Sequence, residues 1–111
     1  MLSKKDILKS NDLELECVEI PEWGGHVFVR GLTARERDEF EISIGESLNQ
    51  DNLRARLVVL GACDEEGERL FNTKDAHALG KKNAAAVDRL FDAIQRLSAM
   101  TPDALETIEG N

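Results

Sequence analysis

Cys17, His26, Cys63 and His77 are the residues of this chain best suited to hold a transition metal. Thiolate and imidazole are the usual zinc donors, but structural sites take them as close pairs on short loops. These four are scattered, their spacing matches no zinc signature, and no metal is expected. The two cysteines are expected to be small buried hydrophobes in a reducing compartment. Asp64-Glu65-Glu66-Gly67 is the densest acidic run. It lacks the alternating ligands and the closing glutamate of a calcium loop, so it reads as a turn, with Gly67 free to take left-handed geometry. His26 and His77 are isolated, and neither has a sequence-local partner that would make it a general base. The chain contains no GxSxG, GxxxxGK[ST] or HExxH. Gly24-Gly25 precedes a strand rather than a helix, so it is no phosphate cradle. Glu14 and Glu16, on one strand face, are ordinary for a solvated strand. No catalytic residue, cofactor site or enzymatic activity is expected.

What remains is a protein whose surfaces must do its work. Its 111 residues make one domain, 1–111, large enough to bury a core without metals or disulfides. Apolar residues make up 41% and charged residues 32%, with 22 acidic and 14 basic side chains giving a net charge of -8. The acidic groups are dispersed. That balance disfavours a nucleic-acid backbone, which needs basic clusters, and favours solubility and protein partners. The sequence has neither an apolar run of about 18 residues nor a signal-peptide core, so a cytoplasmic protein without a membrane span is expected.

The elements follow from capping and periodicity. Ser3 caps a short helix through about Lys9, anchored by Ile7 and Leu8, and Ser10-Asn11-Asp12 break it. Leu13 to Ile20 alternates as a half-buried strand. Its phase slips at Cys17-Val18, which predicts a bulge or a switch of buried face. Pro21-Glu22-Trp23-Gly24-Gly25 supplies a turn, and His26 to Arg30 the return strand, with Val27 and Val29 on one face. Thr33 and Glu36 form a capping box for a helix to about Leu48, with Phe40, Ile44 and Leu48 buried and Arg35, Arg37, Asp38, Glu39 and Glu41 outside. Asp51 is the expected cap of the next helix. That helix carries Leu53, Leu57, Val58, Val59, Leu60 and Ala62, keeps Arg54 and Arg56 outside, and has no polar side chain in its second half before Asp64. It is therefore the core helix. Arg69 to Phe71 is a short extended piece. A short helix ends near Gly80, and Asn83 caps the longest helix, Ala84 to Met100. Its stripe is Val87, Leu90, Phe91, Ile94 and Leu97, with an Asp92–Arg96 pair outside. Thr101-Pro102 starts a last helix bearing Leu105 and Ile108. The predicted fold is α+β: a mostly helical single domain with an N-terminal β-hairpin packed on several helices.

The segments MLSKKDIL, PEWGG, VRGLTARERDEF, NLRARLVVLGACDEEGERLF and AAAVDRLFDAIQRL, in this order and over nearly the whole chain, resemble the tail assembly chaperones of long-tailed bacteriophages and their prophages. The resemblance implies a non-enzymatic assembly factor in the host cytoplasm. Such a factor binds the tape measure protein, keeps it soluble while tail tube subunits polymerise, and is absent from the finished virion. It also implies a longer product made by ribosomal frameshifting, whose extension recruits the tail tube protein. Glu109-Gly110-Asn111 is compatible with that, since GAG GGA AAC contains the slip-prone heptamer G GGA AAC. Lys81-Lys82-Asn83 permits an A-rich heptamer as well.

Candidate partner-binding residues are Trp23 and Phe28 on the hairpin, and Leu105 and Ile108 on the last helix. Trp23 has two readings: a cap on the open end of the core, or an interface anchor, a role in which tryptophan is enriched. A homo-oligomer would suit a coat for an extended client. The rival is an acidic adaptor or anti-regulator that mimics nucleic acid, with Glu14, Glu16 and Glu22 as its nearest approach to a carboxylate array.

Overall fold

The computed structural model describes residues 1–45 and 52–100. Along the chain come α1 (Lys4–Lys9), β1 (Leu15–Ile20), a 3-10 turn (Pro21–Trp23), β2 (Gly25–Arg30), α2 (Ala34–Gly45), α3 (Leu53–Gly61), β3 (Ala62–Cys63), a second 3-10 turn (Thr73–Asp75), α4 (Ala76–Leu79) and α5 (Ala84–Leu97). The architecture is α+β, as the sequence predicts.

The apolar helix is α3, and it is central. Ala55, Leu57, Val58, Val59, Leu60 and Gly61 are all buried. It packs on α5 along one side and on α2 and α4 along others, and so has no solvent stripe of its own. At its end Gly61 meets α5 so closely that a Cβ there would lie 2.7 Å from the Ile94 side chain. Here glycine sets the approach of two helices. The α5 stripe behaves as read, with Val87, Leu90, Phe91 and Ile94 buried. Asn83 caps α5 by accepting a hydrogen bond from Ala86 N–H. The helix ends at Leu97, earlier than expected, and Ala99 adopts left-handed geometry.

The sheet is antiparallel in the order β1-β2-β3. The hairpin therefore gains a third strand: Ala62 and Cys63, placed by sequence at a helix end, pair with Val29 and Phe28. The β1–β2 ladder runs unbroken from Leu15↔Arg30 to Ile20↔Gly25, so the phase slip is no bulge. Apolar residues occupy both faces of β1 instead. Val18 and Ile20 point into the core, while Leu15 and Cys17 face outward and are exposed. Of the two cysteines only Cys63 is buried. Gly24, at φ 75°, closes the turn.

Two other expectations are corrected. No residue of α1 is buried; Ile7 and Leu8, at 55% and 75% exposure, are not anchored in the core of the described residues. Arg96 does not turn to Asp92 but donates two hydrogen bonds to Glu16 on β1, at 3.0 and 2.7 Å. A fork across elements beats a single-helix pair because the planar guanidinium matches both carboxylate oxygens. The expected cap Asp51, the stripe residue Leu48 and the whole last helix lie outside the described residues.

Candidate interaction surfaces

The hairpin is clamped to the helices by arginines. Arg89 on α5 donates to both carboxylate oxygens of Glu22 in the turn, at 2.8 and 2.7 Å, and to the Glu19 carbonyl at 3.4 Å. Arg96, one helical stretch further on, holds Glu16. Hydrogen bonding by Arg89 pulls the Glu22 carboxyl down to about 2, and hydrogen bonding by Arg96 pulls Glu16 down. The turn that carries Trp23 is thus fixed over α5. Trp23 itself is 37% exposed.

Phe28 sits midway along β2 on the outward face, half-buried, in register between Cys17 and Cys63. The edge-on neighbour of its ring is His26, with centroids 5.5 Å apart. It lies three residues beyond the start of β2, about 10 Å from the turn at strand rise. Trp23 and Phe28 therefore belong to one hairpin but not to one ring cluster. Leu105 and Ile108 lie outside the described residues.

A second surface was not foreseen. Helix α1 carries Ile7 and Leu8 largely exposed, and Met1 and Leu2, just before it, are fully or largely exposed as well. A helix of six residues is marginal in water. This one is held by a complete capping box, Ser3 Oγ accepting from Asp6 N–H at 3.1 Å and Asp6 accepting from Ser3 N–H at 3.0 Å. The result is a preformed apolar arm with no buried residue and no apolar cover among the described residues. Lys4, Lys5 and Lys9 make it locally basic on an acidic protein. Its signal in the sequence was this local sign change, together with a break at Ser10-Asn11-Asp12 that separates Ile7 and Leu8 from every core stripe.

A third feature is an apolar cleft of about 150 Å³ between α2, α3 and α4, lined by Phe40, Val59, Leu60 and Ala76 with Glu39 at the rim. Beside it lies the most buried ionic cluster among the described residues. Arg30 donates to both oxygens of Glu36 at 2.8 and 3.0 Å, and Arg69 donates twice to Oε2 at 3.0 and 2.8 Å. Thr33 N–H also donates to Glu36 at 2.9 Å, completing the predicted capping box. Arg30 further donates to the Gly67 carbonyl at 2.9 Å, which pins the acidic turn. In that turn Asp64 accepts from Glu66 N–H and Glu68 N–H and Gly67 has φ 85°, so it is a plain turn, as read. This cluster is structural: every oxygen of Glu36 is taken by the chain itself.

Of the carboxylates Glu14, Glu16 and Glu22, the nearest approach to a nucleic-acid-like array, Glu16 and Glu22 are each paired with an arginine fork, and Glu14 lies exposed just before β1. His77 lies exposed on α4, and the Cys17, His26, Cys63 and His77 set is not assembled. Among the described residues no helix is long and apolar enough to cross a membrane.

No family model and no curated protein sequence matches this chain. Among solved structures, the bacteriophage HK97 tail assembly chaperone superposes with a TM-score of 0.63 over 84% of this chain and 94% of that one, at 15% identity. The chain has the fold of the HK97 tail assembly chaperone. At that identity the HK97 likeness speaks for the architecture, in which hairpin and helices combine in one unit, and not for individual side chains.

Proposed function

We propose that the chain is a phage tail assembly chaperone acting in the host cytoplasm. It binds the tape measure protein, keeps it soluble while tail tube subunits polymerise around it, and leaves before the virion is complete. The observation that carries this reading is the likeness in fold to the HK97 chaperone, which spans nearly all of both chains. The surfaces support it. A helical, aggregation-prone client needs exposed apolar groups to meet and net charge to keep the complex dispersed. Trp23, Phe28 and the unforeseen α1 arm supply the first on the described residues, Leu105 and Ile108 extend the candidate set, and a net charge of -8 supplies the second. A frameshifted longer form would recruit the tail tube protein. Self-association fits the same reading, since the arm's apolar residues are exposed among the described residues.

The acidic-mimic alternative is weakened by the arginine forks, which leave neither Glu16 nor Glu22 free to imitate a phosphate row. Co-expression with the tape measure protein tests the proposal. The expected result is a client recovered in the soluble fraction and copurifying with this chain, with the chain absent from purified virions. A client equally insoluble with and without the chain would end the reading.

A further inference from the structure

The outward face of the sheet holds a group of donors that the sequence spacing conceals. Cross-strand pairing sets Glu19 directly opposite His26, and Cys17 two residues before Glu19 on the same face. The Cys17 Sγ, a Glu19 carboxylate oxygen and a ring nitrogen of His26 lie within 4.8 Å of one another, and all three residues are exposed. Among the described residues this is the one place where three such side chains converge.

We propose that Cys17, Glu19 and His26 form a tridentate surface site for a thiophilic divalent cation, with Zn²⁺ the best match. A thiolate, an imidazole and a carboxylate are the three donor types zinc takes, at bond lengths of about 2.0–2.3 Å. Tetrahedral angles at those lengths separate the donors by about 3.4–3.6 Å. The donors need close by only about an ångström, which side-chain rotation on an exposed strand face provides. The backbone needs no change, because a six-pair ladder fixes the register and the edge contact with Phe28 orients the His26 ring. Water takes the fourth position. The soft sulfur selects against Mg²⁺ and Ca²⁺, which prefer all-oxygen sites. Cys63 does not complete the set: it is 1% exposed, and burial pushes its thiol up. The bound ion would join β1 to β2 one step from the turn that carries Trp23, cross-linking the turn end of the hairpin. This inference does not depend on the chaperone reading.

Titration of the reduced, metal-free protein with Co²⁺ tests it. One equivalent should give a sulfur-to-cobalt charge-transfer band and the strong visible bands of tetrahedral Co²⁺, and Zn²⁺ should displace it. Cys17→Ser should abolish the charge-transfer band. Cys17→Ser, His26→Ala and Glu19→Gln should each weaken Zn²⁺ binding at least tenfold by calorimetry, with circular dichroism unchanged. The double variant Glu65→Gln/Glu66→Gln, on the acidic turn, should bind as the parent does. Zn²⁺ should raise the Tm of the parent and not of Cys17→Ser, because an ion that binds only the folded state stabilises it. A missing charge-transfer band, or unchanged affinity in any one of the three site variants, overturns the tridentate site.

Discussion

Arg30, the last residue of β2, and Glu36, in the first turn of α2, face each other through two parallel hydrogen bonds of 2.8 and 3.0 Å, both side chains below 10% exposure. Arg69 reaches the same carboxylate from the segment after the acidic turn. One glutamate thus ties the sheet, the start of α2 and the 64–70 loop. Removing a single partner from such a cluster leaves uncompensated buried charge, which costs more than the cluster's net worth. Glu36→Ala should lower unfolding free energy by about 3–5 kcal/mol. Arg30→Met alone should be costly, and Arg30→Met/Glu36→Ala less costly than the two singles added. Urea denaturation of the four proteins checks this. Additive losses would mean that the pair is not coupled.

The same carboxylate sets an acid response. Burial pushes Glu36 up. The hydrogen bonds from Arg30, Thr33 N–H and Arg69, aided by the Arg30 charge, outweigh burial and hold it at about 2, against an ordinary 4.5. A depressed folded-state value means that the unfolded chain takes up the proton first. The stabilisation is therefore complete above about pH 4.5 and is lost as pH falls from there toward 2. Glu22 and Glu16 shift in the same direction through Arg89 and Arg96. Urea midpoints measured from pH 6 to pH 2.5 should fall with acid, and Glu36→Gln should flatten but not abolish the fall. An equal slope in the variant would remove Glu36 as a source.

Gly61 and Ile94 give a packing test. A methyl at Gly61 would sit 2.7 Å from two Ile94 carbons at once, so α3 and α5 must move or Ile94 must leave its rotamer. Overpacking of this kind costs about 1–3 kcal/mol. Gly61→Ala should destabilise by that amount, and adding Ile94→Ala should recover part of the loss, a sign of contact between the two sites. Thermal unfolding of the single and double variants decides it. A double variant worse than the summed singles would place the strain elsewhere.

These residues show where sequence reading succeeds and where it stops. The Thr33–Glu36 box, the Asn83 cap, the Asp64–Gly67 turn and the α5 stripe all depend on neighbours a few residues away, and each was legible. Glu36 as a hub was not, because Arg69 is brought to it only by the bridge that pairs Cys63 with Arg69. The third strand was hidden for a similar reason: two residues, Ala62 and Cys63, continue an apolar helix pattern and carry no period of their own. In β1 the sequence leaves the buried face undecided, since Leu15 and Cys17 mimic a buried row as well as Val18 and Ile20 do. Of the candidate surface, Trp23 and Phe28 stand out in the sequence by residue type alone. The α1 arm was missed because an apolar helix is assumed to have a core to bury in.

The arm gives the last prediction. Ile7 and Leu8 touch no core, so Ile7→Asp/Leu8→Asp should leave the urea midpoint nearly unchanged, within about 0.5 kcal/mol per site as for other surface changes. If the arm is the contact through which copies or client join, the variant should lose concentration-dependent mass in sedimentation, or lose recovery of soluble tape measure protein, while staying folded. High salt should mimic part of the effect, because Lys4, Lys5 and Lys9 face an otherwise acidic molecule. A variant that unfolds early would instead place the arm against its own chain. One that keeps both association and client recovery would return the interaction to the Trp23 end of the hairpin, where Trp23→Ala should then reduce client recovery.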